Sequence, residues 1–265
     1  MIASAPAALS ITVADLAVGG LLVAATLVLL AFQGLGLTRE VLWSTGRALL
    51  QVLLLGAVLS LLLDLDRWYW VVTTLFLMTL AAVHRGTHGL RHSLPFLKLI
   101  ALASIGTTVL VVVGFVAWLV LHIRPWHSPL YLVPLAGMVL ANAMNGFNLF
   151  LCRFAATIRQ RRDEVEIKLS LGADVRESVQ TPLRDAIRTA MMPLGNLLVV
   201  VGVIQVPGIM TGQLFAGASP MTATGFAALM IEAAVAAILM STILAALLTY
   251  RLFFTPAMQL KEQVG

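Results

Sequence analysis

Long apolar runs separated by short polar breaks cover almost the whole chain. A helix needs about 20 predominantly apolar residues to cross a hydrocarbon core of about 30 Å. Runs of this order predict seven spans, at roughly residues 13–36, 48–63, 68–83, 97–121, 129–152, 189–216 and 221–250, the second and third being short. A single soluble core could not bury them all, so the pattern predicts an all-α, polytopic integral membrane protein. Ser128-Pro129 and Ser219-Pro220 place a hydroxyl cap before a proline at the first helical position, where its missing N–H costs nothing. Pro207 and Gly208 interrupt the sixth run, and Gly212 and Gly217 follow. This predicts a broken helix whose freed carbonyls line a gate or exit path, since such breaks survive in a membrane only beside a cavity or helices that rescue the backbone.

Composition agrees: of 265 residues, 60% are hydrophobic and 11% charged, with a mean hydropathy of +0.98. The net charge of +5 sits in short loops rather than on an extended basic face, which argues against nucleic acid. Lys and Arg in short loops stay on the cytoplasmic side. Fifteen of the seventeen follow the first, third, fifth and seventh spans, leaving only Arg67 and Arg124 in the other loops. The distribution predicts an N-outside, C-inside, multi-pass protein. Met1 to Ser10 lack a basic n-region, so the first run reads as a retained helix. Cys152, the single cysteine, can form no intrachain disulfide. No linker or repeat divides residues 1–265, which read as one transmembrane domain.

Residues 153–188, between the fifth and sixth spans, hold eight of the seventeen basic and six of the twelve acidic residues. Ile158, Val165 and Leu169 fall at spacings of seven and four, an apolar stripe on a helix, and Glu164 with Lys168 makes an i,i+4 pair. Gly172 ends that helix as a C′ residue, and Asp174 with Glu177 has the pattern of a capping box opening a second one. The stripe is expected to be exposed unless a partner covers it. This predicts a cytoplasmic helix pair that docks another protein.

EIKLSLGA at 166–173 resembles the Glu-Ala-Ala…Gly coupling loop of ABC-transporter permeases, with Ile167-Lys168 standing for Ala-Ala and Pro193 twenty-one residues past the glycine. The chain resembles more closely the FetB-type iron-export permeases, related to plant aluminium-tolerance half-transporters. The blocks are EVLWSTGRALLQ at 40–51, PLAGMVLANAM at 134–144, EIKLSLGA, RDAIRTAMMP at 184–193 and VPGIMTGQLFAGASPM at 206–221. The resemblance implies a permease of the cell inner membrane that pairs with a separate cytoplasmic ABC ATPase, two copies of each, and exports a metal ion. It also implies that Glu164, Glu166, Leu169, Leu171, Gly172 and Ala173 contact the ATPase. The chain contains no G-x-x-x-x-G-K-[ST] phosphate loop. It is therefore expected to be no enzyme and to bind no cofactor, with ATP-Mg held by the partner.

Polar side chains inside apolar spans are costly and often functional. Asn142, Asn145 and Asn148 recur every three residues, and Met138, Met144 and Met210 offer thioethers suited to soft metals. Glu232 is the one acidic residue deep in a span, a candidate for cation contact or proton coupling. The expected pathway comprises Asn142, Met144, Asn145, Met210, Gln213 and Glu232, with Met138, Met144, Met210 and Glu232 as metal ligands. Packing and interhelical hydrogen bonding are the alternatives for each of these. His84, His88 and His92 at i,i+4 spacing would suit a divalent metal, although Gly86 and Gly89 interrupt them. An ion-driven carrier centred on Glu232 and a non-transporting membrane scaffold remain open.

Overall fold

A computed structural model describes residues 12–34, 36–65, 67–88, 96–204, 206–255 and 259–261. The elements are α1 (Val13–Phe32), α2 (Thr38–Leu65), α3 (Trp68–Gly86), α4 (Leu97–Gly114, prolonged by a π turn over Phe115–Val120), α5 (Pro129–Gln160), α6 (Arg162–Ser170), α7 (Val175–Ser178), α8 (Gln180–Ala190), α9 (Met192–Val200), α10 (Gly208–Phe215) and α11 (Pro220–Thr249). An isolated antiparallel bridge pairs Phe254 with Leu260. The protein is an all-α, multi-pass membrane protein.

Five helices among the described residues are long and apolar enough to cross a membrane: Ala14–Phe32, Thr38–Leu65, Leu97–Val120, Pro129–Gln160 and Pro220–Phe253. The third predicted span lies within α3, whose 19 residues are not among these five. The sixth is not one helix: it is divided among the end of α8, α9 and α10, with Val201–Pro207 between the last two non-helical. Gly202 turns there at φ +81, a backbone that a side chain disfavours. The fifth span is longer than the hydropathy pattern suggests, because α5 continues through the polar stretch to Gln160. Ser128 makes no side-chain cap at its start, whereas the Ser219 hydroxyl accepts from the Thr222 amide at 3.2 Å.

α5 is the axis of the bundle. It packs along α11, α8, α3 and α4, whereas α1 touches little but α2 and has no buried residue in its apolar span. Lipid tails are as apolar as leucine, so small residues and shared hydroxyls hold such helices together. At Gly146 of α5 an added Cβ would lie 2.8 Å from Thr242 Oγ1 and 2.9 Å from the Ile238 carbonyl of α11. One turn away, the Ser241 hydroxyl donates to the Ala143 carbonyl at 2.7 Å, and Ser104 of α4 donates to the Ser241 carbonyl at 2.9 Å. Asn148 Nδ2 donates to the Gly86 carbonyl of α3 at 2.9 Å.

The two ends of the bundle differ in chemistry. Trp68, Tyr69, Trp70, Trp118 and Trp126 gather where α3 begins and α4 ends, with Trp68 and Trp126 rings 6.3 Å apart, in the manner of an interfacial aromatic belt. At the opposite end, Phe150 stacks on Phe154 at 5.5 Å and Phe154 meets Phe253 edge-on at 5.0 Å, all three fully buried.

Gly146→Ala is expected to destabilise the protein by about 1–3 kcal/mol, because backbone of α11 blocks the new methyl. Gly19→Ala, with nothing within 4 Å, should leave the melting temperature in detergent unchanged; equal shifts would refute the close-contact account.

Candidate coupling tip and transport cleft

Helix α6 leaves the end of α5 and closes at Gly172, whose φ is +87. The Gly172 amide donates to the Leu169 carbonyl and the Ala173 amide to the Lys168 carbonyl, both at 3.0 Å, which satisfies the last carbonyls in a Schellman turn. Asp174 and Glu177 then form a capping box on α7. Lys168 donates to Glu164 at 2.7 Å and Arg162 to Glu166 at 2.8 Å. Hydrogen bonding and charge from Lys168, with Arg161 adding to it, hold the Glu164 carboxyl below its ordinary value. A lowered carboxylate contributes at neutral pH and loses that contribution as pH falls through its folded-state pKa. These pairs are exposed and worth little each.

The apolar stripe is covered by the chain itself, contrary to the sequence expectation. Ile158 and Val165 are 2% and 1% exposed, and Leu169 packs on the same cluster with Val175, Leu183 and Ile187. Helix α8 folds back along α5, and Arg161 reaches Asp185 of α8 at 3.6 Å. The side turned outward is instead Ile167, 58% exposed, and Leu171, 82% exposed, with Glu166 and Gly172 beside them. Sequence periodicity singled out the buried face; Ile167 entered only through the EIKLSLGA resemblance because it lies off that stripe.

A cleft of about 240 Å³ opens between α5 and α11 beside the broken helix. It is lined by Met138 and Asn142 of α5, Pro207 and Gly208 at the break, and Met230 and Ile231 of α11. Asn142 Nδ2 donates to the Met138 carbonyl at 2.9 Å, leaving its amide oxygen uncommitted. Met230 had no sequence signal, being one methionine in an apolar helix. α10 ends in a second Schellman turn at Gly217, φ +87, with the Ala218 amide on the Gln213 carbonyl, and Thr224 of α11 reaches Met210 Sδ at 4.0 Å.

The chain matches the family described as uncharacterised protein family UPF0014 over residues 13–254. It belongs to the UPF0014 family. It is 30% identical to the probable iron export permease protein FetB of Escherichia coli K12 over 95% of both chains. It is 33% identical to the UPF0014 membrane protein slr1647 of Synechocystis over 90% of this chain and 92% of that one. It is 30% identical to protein ALUMINUM SENSITIVE 3 of Arabidopsis thaliana, over 88% of this chain and 84% of that one. No solved structure matches.

The remaining expected pathway residues of this UPF0014 chain do not share the cleft. Met144 turns to α3, where a Cβ at Gly86 would meet its Cγ at 3.2 Å, and Asn148 is engaged with the same glycine. Asn145 is exposed between these directions, because each step of three residues rotates a helix position by about 60°. Met210 faces Thr224, and half-buried Gln213 and exposed Gly212 sit farther along α10. Glu232 is exposed on the face of α11 away from α5 and is not among the cleft-lining residues. His84 and His88 rings lie 6.3 Å apart, while His92 is outside the described residues. No group of three or more His, Cys, Asp or Glu able to hold a metal occurs among the described residues.

Gly172→Ala is expected to weaken the turn by about 1 kcal/mol, since the residue must hold a left-handed backbone. Amide exchange at residues 172 and 173 should accelerate about five-fold while exchange in α5 stays constant; no acceleration would show that the turn tolerates a side chain.

Proposed function

We propose that this chain is the membrane-spanning permease subunit of an ABC-type exporter of a metal ion, seated in the inner membrane as a homodimer and driven by a separate cytoplasmic ATPase. The observation that carries this reading is the tip around Gly172. An exposed apolar pair, Ile167 and Leu171, stands on a turn with no slack, braced through Ile158 and Val165 to the longest helix of the bundle. Exposed leucine and isoleucine beside carboxylates on a rigid protrusion suit a groove in a protein partner. Force applied there reaches α5 and, through Phe154 and Phe253, the end of α11. These two helices wall the cleft, so displacement of the tip and widening of the cleft are linked by packing.

Membership of UPF0014 together with the name of the Escherichia coli relative supports a permease for iron. A cleft lined by Asn142 and the thioether residues Met138 and Met230, beside the broken helix, suits a partly dehydrated cation. A carrier built on Glu232 inside one chain finds less support, because that carboxylate points out of the bundle.

Leu171→Asp and Ile167→Asp are expected to cut co-purification of the ATPase subunit at least ten-fold without lowering the melting temperature of the permease. Glu166→Ala and Gly172→Pro should weaken it as well. Cells lacking the protein should retain more iron under iron excess, and the Leu171→Asp strain should behave like them. Undiminished ATPase binding by both aspartate variants, or iron export that survives loss of the ATPase, would overturn the reading.

A further inference from the structure

A second cavity, of about 550 Å³, lies between α3 and α4 and shares no residue with the cleft beside the broken helix. Val72, Phe76 and Thr79 of α3 form one wall, and Leu102, Leu110 and Trp118 along α4 and its π turn form the other. No charged side chain lines it, and the Thr79 hydroxyl is spent on the Leu75 carbonyl at 2.8 Å. A ligand that fits is therefore apolar along most of its length. The floor is open where α4 carries Gly106 and Gly114, since a Cβ added at either would meet nothing closer than 3.9 Å.

Dimensions narrow the choice of occupant. From Leu102 to Trp118 the cavity follows α4 for sixteen residues, about 24 Å at 1.5 Å per residue. That exceeds the half-thickness of a hydrocarbon core, about 15 Å. Over this length 550 Å³ averages about 23 Å² in section, whereas a helix at least 10 Å across needs about 80 Å². The bore admits a hydrocarbon chain and is too narrow for a second helix. No residue of α1 or α2 is among its walls, so these spans leave it open to the surrounding bilayer.

The mouth has the chemistry of a headgroup site. Trp118 and Trp126 line the cavity at the aromatic end, and Trp68 approaches Trp126 at 6.3 Å. There α4 widens into the π turn, with the Leu121 amide donating to the Val116 carbonyl at 2.9 Å; such turns recur at functional sites. Arg67 directly precedes Trp68, and Arg124 lies two residues before Trp126. Both arginines are exposed, and neither makes an ion pair with a described residue. Guanidinium groups bind phosphate oxygens through paired hydrogen bonds, and tryptophan sits at headgroup level. Asp64 and Asp66 precede Arg67. The mouth is thus not strongly basic, and it selects through hydrogen bonds to phosphate and not through net charge.

We propose that the groove between α3 and α4 binds one phospholipid, with an acyl chain laid along Gly106 and Gly114 and the phosphate held by Arg67 and Arg124 beside the tryptophans. Such a site does not depend on what the permease carries or on its ATPase. The test uses the full chain, purified in detergent and washed free of lipid. It is titrated with palmitoyl-oleoyl phosphatidylglycerol and, separately, with palmitoyl-oleoyl glycerol, which lacks the phosphate. Native mass spectrometry reads the occupancy.

The expected result is saturable binding of one phospholipid per chain, with the phosphate-free lipid at least ten-fold weaker. Gly106→Phe and Gly114→Leu fill the bore and should each weaken phospholipid binding at least ten-fold, while Val111→Phe, on α4 outside the groove, should not. The double variant Arg67→Gln, Arg124→Gln should bind phospholipid no better than the phosphate-free lipid; its two positions are exposed, so it keeps the test decisive if a glycine variant misfolds. Unchanged binding in both glycine variants, or no saturable phospholipid on the parent chain, would overturn the site. Equal binding of the two lipids by the parent chain would overturn the phosphate contact. Loss of dimer in the glycine variants with lipid occupancy unchanged would assign the groove to a second copy and overturn the lipid.

Discussion

The line along which α5 and α11 touch is the contact on which the rest of the bundle depends. There the absence of a side chain at Gly146 lets the two backbones approach, and the Ser241 hydroxyl spans the gap to the Ala143 carbonyl. In a hydrocarbon solvent, association gains nothing from burying apolar surface, so close packing and a few hydrogen bonds set the geometry. Ser104 joins α4 to this line and Asn148 joins α3. The remaining spans are held less tightly: α1 and most of α2 lie against lipid with little of the bundle beneath them.

The same line organises function. On one side of it, α9 and α10 stand away from α5 and leave the cleft with Asn142, Met138 and Met230. At its far end the phenylalanine cluster receives α8, and through α8 the tip at Gly172. A partner pressing on Ile167 and Leu171 would therefore move helices, not a loose loop. The Schellman turn and capping box matter for this reason, since they leave the tip no freedom to absorb displacement.

Residues 153–188 show how far residue pattern reaches. The glycine turn, the Glu164–Lys168 pair and the Asp174–Glu177 box are local devices, with partners within five positions, and all are present where their spacing puts them. The Ile158–Val165–Leu169 stripe is equally local as a pattern, but its covering is not. Helix α8 of the same chain takes the place expected of a partner, and the apolar side chains left outward are Ile167 and Leu171. The asparagines behave alike: a spacing of three looks like one face, yet accumulated rotation sends Asn142 to the cleft, Asn145 outward and Asn148 to α3.

By itself the sequence determined the solvent, most of the helices, the Ser219 cap, the Gly172 turn and the break beside Pro207, because apolar run length, proline, glycine and short-range side-chain bonds act over a few residues whatever surrounds them. Only the tertiary structure decided which face of each helix meets another. It dispersed the polar residues of α5, brought Met230 to the cleft and turned Glu232 out of the bundle. Those outcomes depend on contacts such as Ser104 with Ser241, 137 positions apart, whose register no periodicity encodes.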